Sequence, residues 1–138
     1  MEMIVSGRQT GEMIEAVRRV LEADPRIAYA VLFESTARRA RHAHSDLDVA
    51  IGTGAFDTRA FGELTARLEQ ASGCPVHLVS LSDAPPGLAY RVFREGVPLV
   101  IRDPAALRER LERAILDYLD FKPVEDLFTQ GVLRARRG

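Results

Sequence analysis

The apolar residues of this chain switch repeatedly between helical spacing and the short runs or strict alternation that are typical of β-strands. Ile27 to Phe33, Val76 to Leu81 and Val97 to Ile101 are short apolar runs that predict strands. Asp46 to Ile51 alternates strictly, with its two acids and Ala50 on one face and its large apolar residues on the other. Because helical patterns separate these strands, the sequence predicts an α+β domain, a small mixed β-sheet flanked by helices.

Three of the predicted helices are bounded by turn residues. The first has Thr10 as its N-cap and ends near Pro25, and the second ends at Gly73. A short third helix follows the turn sequence that ends in Pro86 and is closed by Gly96. These boundaries place one helix before the sheet and two within the order of strands.

The last helix carries the strongest start signal in the chain. Asp103 is a predicted N-cap and Pro104 occupies the first helical position, while Pro123 is expected to stop the helix. Its predicted buried stripe consists of Leu107, Leu111, Ile115 and Leu119. A continuing apolar series could pack on the domain or dock a partner; it consists of Tyr118, Phe121, Val124, Leu127 and Phe128. We assign residues 1–128 to one domain and residues 129–138 to a loose basic tail.

Composition excludes several classes of protein. The 138 residues include 19 basic and 20 acidic side chains, a net charge of −1, so no strong nucleic-acid signal exists. No apolar run approaches the roughly 20 residues of a membrane span, and the start is not a signal peptide. A single cysteine, Cys74, forms no internal disulfide. We expect a soluble cytoplasmic domain with no membrane association.

The two acids of the alternating strand are the first candidate functional residues. Asp46 and Asp48 point the same way, about 7 Å apart at the backbone, and can converge on one divalent cation. Ser35, at the start of a polar turn after the preceding strand, can present its hydroxyl and backbone N–H to a phosphate. Together they predict a metal–nucleotide site for phosphoryl transfer. Taken singly, the acids are also typical of a solvated strand face, and Ser35 of a helix N-cap.

The spacing of these residues resembles a known signature. Ser35, ten residues and then Asp46-x-Asp48 are similar to the Gly-Ser-x10-Asp-x-Asp motif of the DNA polymerase β nucleotidyltransferase superfamily, especially its minimal, MNT-type members. Arg38 matches the arginine that commonly follows the serine. Further similar segments are Ala84 to Val92, Arg94 to Gly96 and Tyr118 to Pro123.

The resemblance implies a function. Such short proteins are typically antitoxins of HEPN-domain ribonuclease toxins, and members transfer AMP from ATP to a toxin tyrosine with Mg²⁺ (or Mn²⁺). It implies that Asp46 and Asp48 hold the metal and that Ser35 and Arg38 bind the nucleotide. His77 occupies the position of the family's third carboxylate, so the implied catalytic residues are Asp46, Asp48 and His77.

Two residues depart from the family pattern. Glu34 replaces the motif glycine and brings a negative charge towards the phosphates, unless it swings to solvent or pairs with Arg38 or Arg39. His77 is a poor ligand for Mg²⁺, although an imidazole can bind zinc or manganese, accept a proton as a general base, or simply form a local hydrogen bond. The alternative hypothesis is therefore a catalytically impaired protein that inhibits a HEPN toxin by stoichiometric complex formation.

Overall fold

A computed structural model of the protein describes residues 7–33, 47–54 and 56–137, with side chains described in residues 11–33, 47–54 and 56–120. In chain order the elements are α1 (Gly7–Glu22), β1 (Ile27–Phe33), β2 (Leu47–Thr53), α2 (Thr58–Ser72), β3 (Val76–Ser80), α3 (Pro86–Glu95), β4 (Val97–Ile101) and α4 (Pro104–Arg137). A single 3-10 turn, Leu81–Asp83, joins β3 to α3.

The four strands form one mixed sheet in the order β3-β2-β1-β4. β1 is antiparallel to both of its neighbours, whereas β2 and β3 are parallel. Parallel strands require a crossover connection, which α2 provides here. The predicted α+β class with a small mixed sheet and flanking helices is confirmed.

Helices cover both faces of the sheet, so the core has two layers. α1 and α2 pack on one face, where the largest buried side chains are those of Leu21, Ile27, Ile51, Leu64 and Leu68. α3 and α4 cover the other face, which buries Tyr29, Val31, Phe33, Ala50, Ala89 and Ala114. An irregularity of the β1–β2 register between Ile27 and Tyr29 explains why these two residues, although two apart, belong to opposite layers.

At two glycines, atoms of a neighbouring element lie so close to the backbone that a larger residue would not fit. A Cβ on Gly52 in β2 would overlap the ring of Tyr29 in β1. A Cβ on Gly96 would overlap the Val31 side chain and the carbonyl oxygen of Val92. Glycine at these positions therefore allows the Tyr29 ring to lie flat on β2 and the end of α3 to lie against β1.

The predicted helix caps at Asp103 and Gly73 are present. The Asp103 side chain accepts a hydrogen bond from the Ala106 N–H at 3.1 Å, and Gly73 closes α2 with a φ of 75°. The Asp57 side chain caps α2 by accepting from the Ala60 N–H at 2.8 Å. Local hydrogen-bonding chemistry therefore fixes these helix ends as it does in other proteins.

Three helix predictions are wrong. α1 begins at Gly7 rather than after Thr10, and α4 continues through Pro123 to Arg137, so residues 131–137 are not loose. Proline lacks the N–H that would bond one turn back, and the helix continues with that bond missing. The division into residues 1–128 and 129–138 stays a prediction.

The predicted buried stripe of α4 is also wrong in its second half. Ile115 is 38% exposed and Leu119 is 57% exposed, whereas Ala114 is fully buried. Close packing of α4 on the sheet selects the small Ala114, and this rotates the larger side chains outward. None of the described helices is both long and apolar enough to cross a membrane.

Candidate functional site

Asp48 lies at one end of the sheet and is buried, which is uncommon for a carboxylate. It is the second residue of β2 and pairs with Phe33 of β1 on one side and His77 of β3 on the other. Its side chain shares the sheet face of Phe33 and Ala50, and the residue is only 1% exposed. A carboxylate buried among apolar residues requires polar partners, because an isolated buried charge is strongly unfavourable.

His77 supplies one such partner. Its Nδ1 lies 3.2 Å from Asp48 Oδ1, while its side chain is 52% exposed. An ionised carboxylate only accepts hydrogen bonds, so this contact requires the tautomer in which His77 Nδ1 carries the proton. In the neutral ring with this tautomer, Nε2 is an acceptor beside the buried carboxylate.

The beginning of β3 is held by α2, and this places His77 beside Asp48. Gly73 turns the chain, and the Val76 N–H then donates to the Glu69 carboxylate at 2.9 Å. The Leu47 N–H donates to the Pro75 carbonyl at 3.0 Å and starts the pairing of the two strands. The sequence analysis did not identify Glu69 as a positioning residue, because a glutamate near a helix end carries no distinctive pattern.

The structure therefore brings together two of the predicted site residues, Asp48 and His77. The other predicted residues, Ser35, Arg38 and Asp46, lie outside the described residues, as does Glu34. The described chain leaves the sheet at Phe33 and returns at Leu47, and both residues adjoin the Asp48 position. Placement of the remaining site residues stays a prediction.

Among the described side chains, the two groups in contact at this site are the Asp48 carboxylate and the His77 imidazole. Among the described side chains, no group of three or more His, Cys, Asp or Glu residues is arranged to hold a metal ion. A carboxylate suits Mg²⁺ and Mn²⁺, whereas an imidazole suits Mn²⁺ or Zn²⁺ better than Mg²⁺. These two described residues do not form a metal site by themselves.

Comparison with known proteins identifies the family. The profile of the family described as polymerase beta, nucleotidyltransferase matches residues 15–105, which include β2 with Asp48 and β3 with His77. The chain belongs to this nucleotidyltransferase family. The resemblance predicted from the sequence is thereby confirmed. A search of curated proteins gives no significant match.

Solved structures have the same fold as this nucleotidyltransferase. A chain of a toxin–antitoxin crystal structure with AMP-PNP superimposes with a TM-score of 0.70 at 23% identity, covering 87% of this chain and 98% of that chain. A chain from the complex of a tri-AMPylated Shewanella oneidensis HEPN toxin with MNT antitoxin gives 0.69 at 21% identity, covering 91% and 98%. A chain of the MntA-HepT toxin–antitoxin structure gives 0.69 at 21%, covering 88% and 97%.

A second charged cluster lies at the opposite end of the nucleotidyltransferase sheet, and the sequence analysis missed it. The buried Asp24 carboxylate accepts bonds from the Arg26 backbone N–H and from two guanidinium nitrogens of that arginine. These bonds from Arg26 lower the pKa of Asp24, against the opposing effect of burial. Arg102 donates to the carbonyl oxygens of Asp24 and Ile27. The cluster joins the end of α1 to the chain after β4, so it stabilises the fold.

Proposed function

We propose that this nucleotidyltransferase is an antitoxin that neutralises a HEPN ribonuclease toxin by transferring AMP from ATP to a toxin tyrosine. The observation that carries the proposal is Asp48, a carboxylate kept in the buried face of β2 although the sheet does not require it there. Support comes from solved structures of this fold, which include a complex with a tri-AMPylated HEPN toxin and a complex with AMP-PNP. The reaction uses ATP, which fits a cytoplasmic location.

Each predicted site residue has a role in this proposal. Asp46 and Asp48 hold a divalent cation, Mg²⁺ or Mn²⁺, and Ser35 and Arg38 bind the phosphates of ATP. The cation, when bound, neutralises charge on the reacting phosphate. The tyrosine oxygen forms a bond to the α-phosphorus, and the bond from that phosphorus to the bridging oxygen breaks, so that pyrophosphate leaves.

His77 accepts the proton of the tyrosine hydroxyl in this scheme. A hydrogen bond from Nδ1 to Asp48 leaves the Nε2 lone pair of the neutral, half-exposed ring to accept this proton. Asp48 also stabilises the imidazolium that forms when the proton arrives. The contact of 3.2 Å therefore supports a role for His77 as the base at a position where the family has a carboxylate.

A second function is favoured by the same contact. Because one oxygen of Asp48 is occupied by His77, less of the carboxylate is available to a cation. The protein would then neutralise the HEPN toxin by forming a stable complex that covers the toxin's active site. This stoichiometric mode needs neither ATP nor the charge of Asp48.

Intact-mass spectrometry of the HEPN partner separates the two functions. Incubation of the toxin with substoichiometric protein, ATP and Mg²⁺ or Mn²⁺ is expected to add one or more AMP units to the toxin. Asp48→Asn is expected to abolish this mass increase, whereas the exposed Asp83→Asn serves as a matched control that retains it. Melting temperatures of both variants establish that they fold.

The opposite result has a definite meaning. An unmodified toxin that co-elutes in a stable complex with both the wild-type protein and the Asp48→Asn variant refutes AMP transfer and establishes the stoichiometric mode. A toxin that is neither modified nor bound refutes both functions.

A further inference from the structure

One side of α4 carries large apolar side chains that face away from the sheet. Three of the five large apolar residues that are exposed in the described part of the chain lie on this helix. Leu116 and Leu119 are 61% and 57% exposed, and Ile115, one turn before Leu119, is 38% exposed. Ala114, in contrast, is fully buried in the layer against the sheet. We call Ile115, Leu116 and Leu119 the outer patch.

Charged residues flank the outer patch symmetrically on the same side of the helix. Residues three, four and seven positions apart share one side of an α-helix, and α4 is helical throughout this stretch. Glu112 and Arg108 stand three and seven positions before the first residue of the patch. Lys122 and Asp126 stand three and seven positions after its last residue. This side of α4 therefore runs in the order basic, acidic, apolar, basic, acidic.

An antiparallel second copy of α4 complements this order. When the two-fold axis lies at the centre of the outer patch, the first residue of the patch lies opposite the last residue of the patch in the second copy. Glu112 then lies opposite Lys122 of the second copy, and Arg108 lies opposite Asp126. The symmetry repeats both pairs, so the apolar contacts in the middle are flanked by attractive pairs at each end. Charges that flank an apolar seam between two helices set the choice of partner and its orientation.

Other arrangements of the same two helices oppose like charges. A shift of one helical turn in one direction places Arg108 opposite Lys122, and a shift in the other direction places Glu112 opposite Asp126. A parallel pair places every charge opposite its own copy. Because like charges that face each other disfavour an interface, the charge pattern selects the antiparallel register described above.

We infer that the outer patch binds a second copy of this chain, as an antiparallel pair of α4 helices. Burial of the patch in this pair removes its apolar surface from water, which favours association. The inference goes beyond the proposed transfer of AMP and does not depend on it.

Sedimentation equilibrium of the full-length protein, without ATP or toxin, tests the pairing. The wild type is expected to shift from monomer to dimer as its concentration rises, because a single helix pair is a small interface. Leu116→Glu places a charge in the middle of the patch in both copies and should raise the dissociation constant of the dimer by about tenfold or more. Glu22→Lys reverses an exposed charge at the end of α1, on the other face of the sheet, and should leave this constant unchanged.

Charge exchange tests the orientation and the register. Glu112→Lys alone and Lys122→Glu alone each oppose like charges at both ends of the dimer, so each should weaken association by roughly threefold or more. An equimolar mixture of the two variants restores opposite charges at both ends, and mixed dimers are expected to form with nearly the wild-type constant. A local effect of either substitution on its own helix cannot produce this rescue. Melting temperatures establish that all variants fold.

Three results would overturn the inference. A wild-type protein that stays monomeric up to roughly 1 mM does not pair through α4. A mixture that associates no better than the single variants shows that this register is wrong. If the free protein is monomeric and Leu116→Glu abolishes binding of the HEPN toxin, the patch binds the toxin instead of a second copy. Dimers that Leu116→Glu disrupts and the mixture restores support the inference, whether or not the protein modifies a toxin.

Discussion

The contact of Gly52 with Tyr29 gives a sharp test of how the strand that carries Asp48 is packed. The substitution Gly52→Ala places a Cβ where three atoms of the buried Tyr29 ring lie. The φ of Gly52 is not positive, so alanine meets no conformational penalty there and the effect is steric. The ring must move, yet Tyr29 is only 4% exposed and packs in the layer beneath α3 and α4.

The magnitude follows from overpacking in a dense core. Inserting a methyl group that forces a core side chain to shift typically destabilises a protein by about 1–3 kcal/mol. Gly62→Ala is a matched control, because Gly62 is an exposed residue within α2 and a Cβ there has nothing within 4 Å. Alanine in a helix interior is favoured over glycine by roughly 0.5–1 kcal/mol. The two variants should therefore differ by about 1.5–4 kcal/mol in unfolding free energy.

Urea unfolding followed by far-ultraviolet circular dichroism measures this difference, since the chain contains no tryptophan to report by fluorescence. Both variants make the same change to the unfolded chain, so their difference reports the native state. A second substitution, Tyr29→Leu, is expected to be less costly in the Gly52→Ala background than in the wild type. Equal stability of the two alanine variants would refute the packing argument.

Three further predictions concern the charge cluster and the last helix. Arg26 lowers the pKa of Asp24, so the contribution of this carboxylate to stability is complete above its unfolded pKa of about 3.9. That contribution is lost as the pH falls through the lower pKa of the folded state. Urea midpoints measured against pH should therefore fall less steeply at acid pH in Asp24→Asn than in the wild type. Asp103→Ala removes the cap of α4 and should lower the unfolding free energy by about 1 kcal/mol in thermal melts, and an unchanged melt contradicts this role. Tyr118→Leu removes the stacking on Tyr90, whose ring centroid lies 4.0 Å away. It should lower the unfolding free energy by about 0.5–1.5 kcal/mol in addition to the loss from reduced buried surface area. Tyr90→Leu should add little in that background, and full additivity in a double-mutant cycle would show that the rings do not interact.

The parts of the fold that the sequence predicted correctly are those set by neighbouring residues. The four strands, the glycine that ends α2 and the Asp103 cap each depend on a pattern within a few positions. The exposed face of α4 was predicted wrongly because it depends on the sheet. Nothing within the helix favours Ala114 over Ile115 as the buried residue, and only packing against β1 and α3 decides between them.

The contacts of the candidate site required the tertiary structure for the same reason. The sequence identified Asp48 and His77 as residues of one site through their spacing relative to a known signature. It did not show that the two side chains touch, because they are 29 residues apart and meet only through the parallel register of β2 and β3. The link from the cluster around Asp24 to Arg102, almost 80 residues away, likewise had no local pattern to reveal it.

The register of β2 and β3 also determines which residue faces the Asp48 carboxylate. Asp48 is buried between two strands and is held by backbone pairing on both sides, so its carboxylate stays in place whichever residue faces it at position 77. That residue is half-exposed and contributes little to the apolar core, but as a histidine it is a hydrogen-bond partner of the buried carboxylate, so its loss has a cost in stability. Substitutions there directly alter the hydrogen bonding of Asp48, because the side chain lies within hydrogen-bonding distance of it. The register of this sheet therefore makes position 77 the place where the surroundings of Asp48 can change without a change of fold.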